Sequence, residues 1–116
     1  MKYACLIYGD GNVVDPLSDN ELQELTTEAI AYHDELRGNG QLVAVEALEP
    51  AETATTIRFR GGKLSLTDGP FAETKEQLGG IFVIEARDLN EAIRIASKHP
   101  SARYDTVEIR PVKELR

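Results

Sequence analysis

The stretch GGIFVIEARDLNEAIRIA, residues 79–96, decides the fold because it contains a strand followed directly by a helix. Its apolar run at residues 81–84 is uninterrupted, which is typical of a buried strand. Asp88 then begins a helix-capping sequence. The apolar residues that follow share one helical face: Leu89, Ala92, Ile93 and Ala96. His99 and Pro100 end this helix. The stretch therefore predicts one strand–helix unit of a mixed α+β protein.

The N-terminal part of the chain repeats this order. Residues 2–8 are apolar on both sides of a predicted strand, which suits a central strand covered on both faces. Ser18 and Glu21 have the spacing of a capping box, in which each side chain bonds to the other residue's backbone amide. The apolar stripe of the following helix is formed by Leu22, Leu25, Ala29, Tyr32 and Leu36. Gly38 or Gly40 supplies its left-handed C-terminal cap.

Three further strands are predicted in the middle of the chain. Residues 42–48 form the first. Residues 55–60 and 63–67 follow, and the first of these alternates apolar and charged side chains. Gly61 and Gly62 join them, and two glycines can adopt the positive φ values of a tight hairpin turn. The segment therefore predicts a β-hairpin.

The last strand is carried by Val107, Ile109 and Val112. The order of elements is then β-α-β, an inserted hairpin and β-α-β. We expect one α+β domain over residues 1–116, a ferredoxin-like sandwich with its helices on one face of an antiparallel sheet. A chain of 116 residues has room for one domain and its core.

The sheet face opposite the helices has no predicted element to cover it. Val43, Val45, Ile57 and Phe59 indicate that this face is partly apolar. Because pairing two such faces would bury them, we expect a homodimer.

The composition argues against several classes of partner. The net charge of −7 disfavours nucleic acid and anionic membrane surfaces, and no stretch is long and apolar enough for a transmembrane helix. Cys5 is the only cysteine, which rules out an intrachain disulfide and a multi-cysteine zinc site. We expect it to be a buried apolar residue in a cytoplasmic protein. No metal-ligand cluster or phosphate-binding glycine loop is evident, so no cofactor is expected.

Residues 68–80, DGPFAETKEQLGG, resemble the signature of the DGPF subgroup of YCII-related proteins, which are small bacterial proteins of the dimeric α/β-barrel type. Further matches extend the resemblance along most of the chain. They are the Lys2-Tyr3 opening, the Tyr32-His33 pair, the GQLV and LEP segments at residues 40–43 and 48–50, and VEIRPV at residues 107–112.

The resemblance implies a site for a small organic molecule. In relatives that act on such molecules, a histidine on the first helix and a nearby acid form a catalytic pair. The histidine corresponds to His33, and we assign the acid to Asp68 because it opens the signature. An Asp-Pro near the end of relatives' chains is His99-Pro100 here, which departs from the family pattern.

Each candidate residue also has a structural interpretation. His33 lies about 70° from the centre of the apolar stripe, where it acts as a general base or is simply a half-buried histidine bonded to one carbonyl. Asp68 either orients His33 or accepts backbone amides in its own turn. Phe71, Glu73 and Lys75 are candidates for substrate binding, but packing explains Phe71, and an ion pair or a solvated loop explains the other two.

Gly79 and Gly80, just before the buried strand, predict a β-bulge or a close backbone approach to a partner subunit or a ligand. The signature as a whole is also compatible with a purely structural role in the dimer interface.

Two functions follow from the resemblance. The first is a cofactor-free enzyme that performs proton-transfer chemistry of the lyase or isomerase kind, with His33 as acid or base and Asp68 as its partner. The alternative is a non-catalytic module that senses a ligand or binds a protein, since genes of the subgroup often neighbour those of extracytoplasmic-function sigma factors.

Overall fold

The structure is a computed structural model that describes residues 1–10 and 17–116. The described residues form six strands: β1 Lys2–Gly9, β2 Leu42–Ala47, β3 Thr55–Arg60, β4 Lys63–Asp68, β5 Gln77–Glu85 and β6 Thr106–Pro111. They also form two α-helices, α1 Asp19–Gly38 and α2 Leu89–Ser97, and two short 3-10 helices, Ala51–Thr53 and Pro100–Arg103.

Four strands form the main sheet in the order β2-β5-β1-β6, and all three neighbouring pairs are antiparallel. Strands β3 and β4 form a separate two-stranded sheet between β2 and β5 in the chain. Without this inserted hairpin, the order of strands and helices is that of a ferredoxin-like sandwich. The predicted fold, which is also the subunit architecture of dimeric α/β barrels, is therefore confirmed.

Both helices pack on one face of the main sheet and enclose the core. The buried apolar residues are Tyr3, Cys5, Leu36, Phe82, Ile84, Ala86, Ala92, Ile95 and Ala96. Cys5 is fully buried, as expected, and burial raises the pKa of its thiol to about 12. The thiol is therefore protonated at neutral pH and acts as a small apolar side chain.

The helix ends follow the local signals. Ser18 Oγ accepts from the Glu21 amide at 3.1 Å, and the Ser18 amide donates to Glu21 Oε1 at 3.2 Å. At α2, Asp88 Oδ1 accepts from the amide of Glu91 at 2.9 Å. Gly40, with φ of 72°, takes the left-handed conformation after α1, so the second of the two candidate glycines fills that role.

The double glycine shapes the centre of the main sheet. Ile7 pairs with Gly80 whereas Tyr8 pairs with Leu78, so Gly79 is the extra residue of a β-bulge. A Cβ atom at Gly80 would lie 3.2 Å from the Glu46 carbonyl oxygen on β2. Both a bulge and a close backbone approach are present, and the approach is to the neighbouring strand β2.

The β3–β4 hairpin, residues 55–68, is called the arm below. Ile57 pairs with Leu66 and Phe59 with Leu64, so these four side chains share one face. They are 58% to 67% exposed. The expectation that Ile57 and Phe59 lie on the open face of the main sheet was wrong, because β3 pairs with β4 and not with that sheet.

Valine side chains of β2 also differ from expectation. Val43 is exposed, as predicted for the open face, but Val45 packs against the core. An irregularity in the pairing of β2 with β5 lies between Leu42 and Ala44 and changes the side-chain alternation there. Four of the exposed large apolar side chains therefore lie together on one face of the arm.

Within residues 1–10 and 17–116, no helix has the length and apolar character needed to cross a membrane.

Candidate active site

A cavity of about 470 Å³ lies between α1, the bulged part of the main sheet and the second 3-10 helix. Its apolar walls include Ile7, Leu25, Ala29, Ile30, Val45 and Ile81. Its polar side chains are Thr26, His33, Glu46, His99, Ser101 and Asp105. Cavities of this size that combine apolar walls with a few polar groups are the usual form of small-molecule sites.

Two histidines meet in the wall of this cavity. The Nε2 atoms of His33 and His99 lie 2.9 Å apart. His99 is buried, and its ring stacks on Phe82 with centroids 4.7 Å apart and planes 12° apart. Tyr32 meets the same ring edge-on, and its hydroxyl is held by the Ile95 carbonyl at 2.6 Å. His99 is therefore fixed by packing, while His33 is half-buried and lines the cavity beside it.

Backbone contacts assign the protons on the two rings. The Ser101 amide donates to His99 Nδ1 at 3.1 Å, so Nδ1 is unprotonated and neutral His99 carries its proton on Nε2. That Nε2–H faces His33 and donates to its Nε2. The proton of neutral His33 is then on Nδ1. A proton added to His33 enters at Nε2 and places two donors face to face, which breaks the contact.

Both imidazoles are neutral at pH 7. Burial lowers the pKa of His99 to about 4, and the adjacent His33 contributes to the same decrease. Burial also lowers the pKa of His33, with a smaller contribution from Arg37 in the same direction and an opposing one from Asp34. A neutral imidazole can donate a hydrogen bond to a substrate oxygen and can also accept a proton.

Asp105 is one of two acidic residues that line the cavity, the other being Glu46. Its amide donates to the Ser101 carbonyl at 2.7 Å, so the turn that presents Ser101 to His99 also positions Asp105. Burial raises the pKa of the Asp105 carboxyl, and the charge of Glu76 raises it further. Its Oδ1 atom is the one buried side-chain nitrogen or oxygen without a hydrogen-bond partner in the described part of the chain.

The family model for the YCII-related domain matches residues 1–116. The chain belongs to the YCII-related family. It is 36% identical over 114 residues to an uncharacterized protein of Rhizobium meliloti (strain 1021), covering 97% of this chain and 92% of that protein. Its fold is similar to that of 5-chloro-2-hydroxyhydroquinone dehydrochlorinase from Burkholderia phenoliruptrix AC1100, solved in complex with 2,5-dihydroxybenzoquinone. The TM-score is 0.59 at 13% identity, and the match covers 97% of this chain and 94% of that enzyme. The DGPF subgroup stays a prediction.

The structure of this YCII-related protein separates the predicted partners His33 and Asp68. Asp68 is the last residue of β4, is exposed and pairs with Thr55 across the arm. It does not line the cavity of His33. Among the described residues, its carboxylate neither bonds to His33 nor accepts an amide of its own turn. The reason is that β3 and β4 pair with each other, so Asp68 belongs to the arm and not to the sheet beneath α1.

The predicted substrate-binding residues also lie elsewhere in this YCII-related chain. Phe71 is exposed and lines a second apolar cavity of about 400 Å³ at the base of the arm. Lys75 pairs with Asp10 at 3.7 Å, which is the ion pair expected as its structural role. Glu73 is exposed. None of the three lines the cavity of His33.

Sequence reasoning therefore found His33 and missed His99 and Asp105 as members of the site. The sequence marks His99 only as a helix end and as a departure from the family's Asp-Pro. That departure is the available signal for His99, because a histidine stands where relatives have an acid. For Asp105, the only signal in the sequence is Gly9, the glycine that leaves space for its carboxyl group. The sequence does not show that these two residues are neighbours, because that depends on the pairing of β1 with β6.

The described residues contain no group of three or more histidine, cysteine, aspartate or glutamate side chains arranged to hold a metal ion.

Proposed function

We propose that this protein is a cytoplasmic enzyme that performs proton-transfer chemistry of the lyase or isomerase kind on a small organic molecule, without a cofactor. The observation that carries the proposal is the pair of neutral histidines in the wall of a cavity large enough for a ligand. The dehydrochlorinase of similar fold, named for a reaction on a small ring compound, supports the same class of chemistry.

His33 is the acid–base residue in this proposal. Its Nδ1–H donates a hydrogen bond to a substrate oxygen, and its Nε2 takes up a substrate proton when the ring leaves His99. Partial burial lowers the pKa of His33, which favours the unprotonated imidazole that can accept a proton at pH 7.

His99 has a positioning role. Its buried ring, held by Phe82 and by the amide of Ser101, fixes the tautomer and orientation of His33. The roles predicted for Asp68, Phe71, Glu73 and Lys75 stay proposals. None of these residues lines the cavity of its own chain, so in this proposal they act at the cavity of a second subunit.

The test uses solvent hydrogen exchange, which reports proton transfer whatever product is formed. A panel of small hydroxylated and carbonyl compounds is incubated with the protein in D2O, and deuterium incorporation or product formation is followed by NMR. For a compound that reacts, we expect His33→Gln to reduce the rate at least about 100-fold, as the loss of a general acid or base does. Glu24→Gln, on the same helix but exposed and outside the cavity lining, is the matched control and keeps the rate. Full activity of His33→Gln would reject the assignment.

We also propose a homodimer. The four apolar side chains on one face of the arm are exposed in the single chain, and contiguous apolar surface of this kind is typical of an interface. In this homodimer, arm residues such as Asp68 of one subunit lie at the His33 cavity of the other subunit.

The alternative is a ligand-sensing or protein-binding regulatory module. The exposed apolar face of the arm favours this function because a protein partner could cover it. Ligand binding in the cavity without exchange or turnover of any panel compound would support the module over the enzyme.

A further inference from the structure

Asp105 has no role in the chemistry proposed for His33, yet it lines the same cavity. Its Oδ1 atom is buried and lacks a hydrogen-bond partner within the described residues. A buried oxygen without a partner is destabilising, so such atoms are rare unless something outside the chain satisfies them.

Gly9 makes the position of Asp105 possible. A Cβ atom at Gly9 would lie 2.9 Å from Oδ1 of Asp105, closer than two such atoms can approach. The end of β1 therefore provides the space that this carboxyl group occupies. The turn held by His99 and Ser101 fixes it from the other side, since the Ser101 carbonyl accepts the Asp105 amide.

The charges around the cavity have one sign. Glu46 and Asp105 contribute carboxyl groups, and the two imidazoles are neutral at pH 7. No lysine or arginine is among the described residues that line it. Residues 11–16, outside the described part of the chain, contain neither residue type in their sequence, GNVVDP. An anionic ligand would lose its hydration here without gaining a cation.

We propose that the cavity binds an uncharged compound with an apolar body and a hydroxyl group, and that Asp105 determines this specificity by hydrogen-bonding the hydroxyl. A hydroxyl group suits this position because it can donate to a carboxylate or accept from a carboxylic acid. The apolar walls cover the rest of the molecule. Carboxylates and phosphates are excluded. This ligand class rests on the proposed function, since it is assigned to the cavity of His33.

The experiment compares ligands that differ only in charge. Pairs of ring compounds are used in which an amide replaces a carboxylate, beginning with 4-hydroxybenzamide and 4-hydroxybenzoate. Binding is measured by NMR titration of the assigned His33 and His99 ring signals, so that only binding in this cavity counts. We expect the amide to bind at least about tenfold more tightly than the carboxylate in wild-type protein.

Two variants test the assignment to Asp105. Asp105→Asn removes the acid at constant size and is expected to reduce the preference to less than threefold. Gly9→Ala keeps the carboxyl group but displaces it, and is expected to weaken amide binding at least threefold. Glu24→Gln is the control outside the cavity and keeps the wild-type preference. Backbone NMR spectra of each variant verify the fold.

The outcomes separate this inference from the proposed function. Equal or tighter binding of the carboxylate, or an unchanged preference in Asp105→Asn, overturns the ligand class, while loss of exchange in His33→Gln would still support the enzyme. Exchange that wild type catalyses and His33→Gln retains rejects the catalytic proposal and leaves the binding preference intact. If no pair perturbs either histidine signal, the cavity is not a site for such compounds and the ligand class is rejected.

Discussion

The main sheet and the arm both have strands that carry phenylalanine and isoleucine, but they bury these side chains very differently. Phe82 of β5 has none of its surface exposed, whereas Phe59 of β3 is 66% exposed. Phe82 lies under both helices, and β3 has only β4 beside it. An apolar pattern therefore predicts a strand and its two faces, but not which surface will cover them. The helices cover one face of the main sheet, and the apolar face of the arm is exposed in the single chain.

The largest expected effect comes from the same substitution in both regions. We expect Phe82→Ala to lower the free energy of unfolding by about 3–5 kcal/mol, because it removes a buried ring and the surface on which His99 stacks. Phe59→Ala should change it by no more than about 0.5 kcal/mol at protein concentrations where the chain is monomeric. Urea unfolding followed by circular dichroism measures both.

If Phe82→Ala does not fold, Phe82→Leu keeps the test available, with an expected loss of about 1.5 kcal/mol. Equal losses for the Phe82 and Phe59 variants would contradict the contrast between a core covered within the chain and an arm left open.

Local signals explain how much of the fold could be predicted. Ser18 and Asp88 cap their helices with side chains a few residues away, and the turn at Gly61 and Gly62 takes the expected positive φ values of 57° and 76°. Such contacts depend on neighbours in sequence. The position of the arm depends on contacts that are distant in sequence. Local signals predict the β3–β4 hairpin, but they do not show whether β3 also pairs with a strand of the main sheet.

The site was less predictable for the same reason. His33 was found from its helical position and the family resemblance. Its observed partner, His99, is 66 residues away in sequence, and Asp105 becomes part of the site only through a turn anchored on His99. In the single chain Asp68 belongs to the arm, so it does not lie beside His33, and the pair stays a proposal.

The second prediction concerns the pH dependence of the free energy of unfolding. Both histidines, His33 and His99, lie outside the arm, residues 55–68. An unfolded His99 takes up a proton below pH 6.5, but the folded protein resists until about pH 4. The free energy of unfolding should therefore fall by roughly 2–3 kcal/mol as the pH is lowered through this range, because one pKa unit corresponds to about 1.4 kcal/mol. Urea unfolding at pH 7, 6, 5 and 4 measures the slope.

His99→Gln should flatten this slope, and His33→Gln should flatten it less. Asp105 acts in the opposite sense, because its raised pKa favours the folded state as the pH falls. Asp105→Asn should therefore steepen the loss. Stability that does not fall between pH 6.5 and 5 would contradict the buried, neutral pair.

The third prediction tests whether a second copy of the chain binds the exposed apolar face of the arm. Phe59→Ala removes one ring from the exposed apolar face and should weaken self-association about tenfold, or about 1.4 kcal/mol. Arg58→Ala, on the opposite face of the same strand, is the control and should leave association nearly unchanged. Light scattering across a concentration series measures the monomer–dimer equilibrium. A wild-type protein that stays monomeric at high concentration would assign the arm to another partner.

The smallest expected effect concerns two glycines outside the arm, Gly80 in β5 and Gly38 at the end of α1, which differ in the space around them. Gly80→Ala would place its Cβ atom 3.2 Å from the Glu46 carbonyl oxygen, so β2 must shift, and we expect a loss of about 1 kcal/mol in the free energy of unfolding. Gly38→Ala, at the end of α1, meets nothing within 4 Å and should raise it by about 0.5–1 kcal/mol, because alanine favours the helix. Opposite signs would show that close packing, rather than glycine flexibility, sets the cost in the main sheet. A gain in both variants would mean that β2 can move away from β5, and the wall of the cavity at Gly80 would then be adjustable rather than fixed.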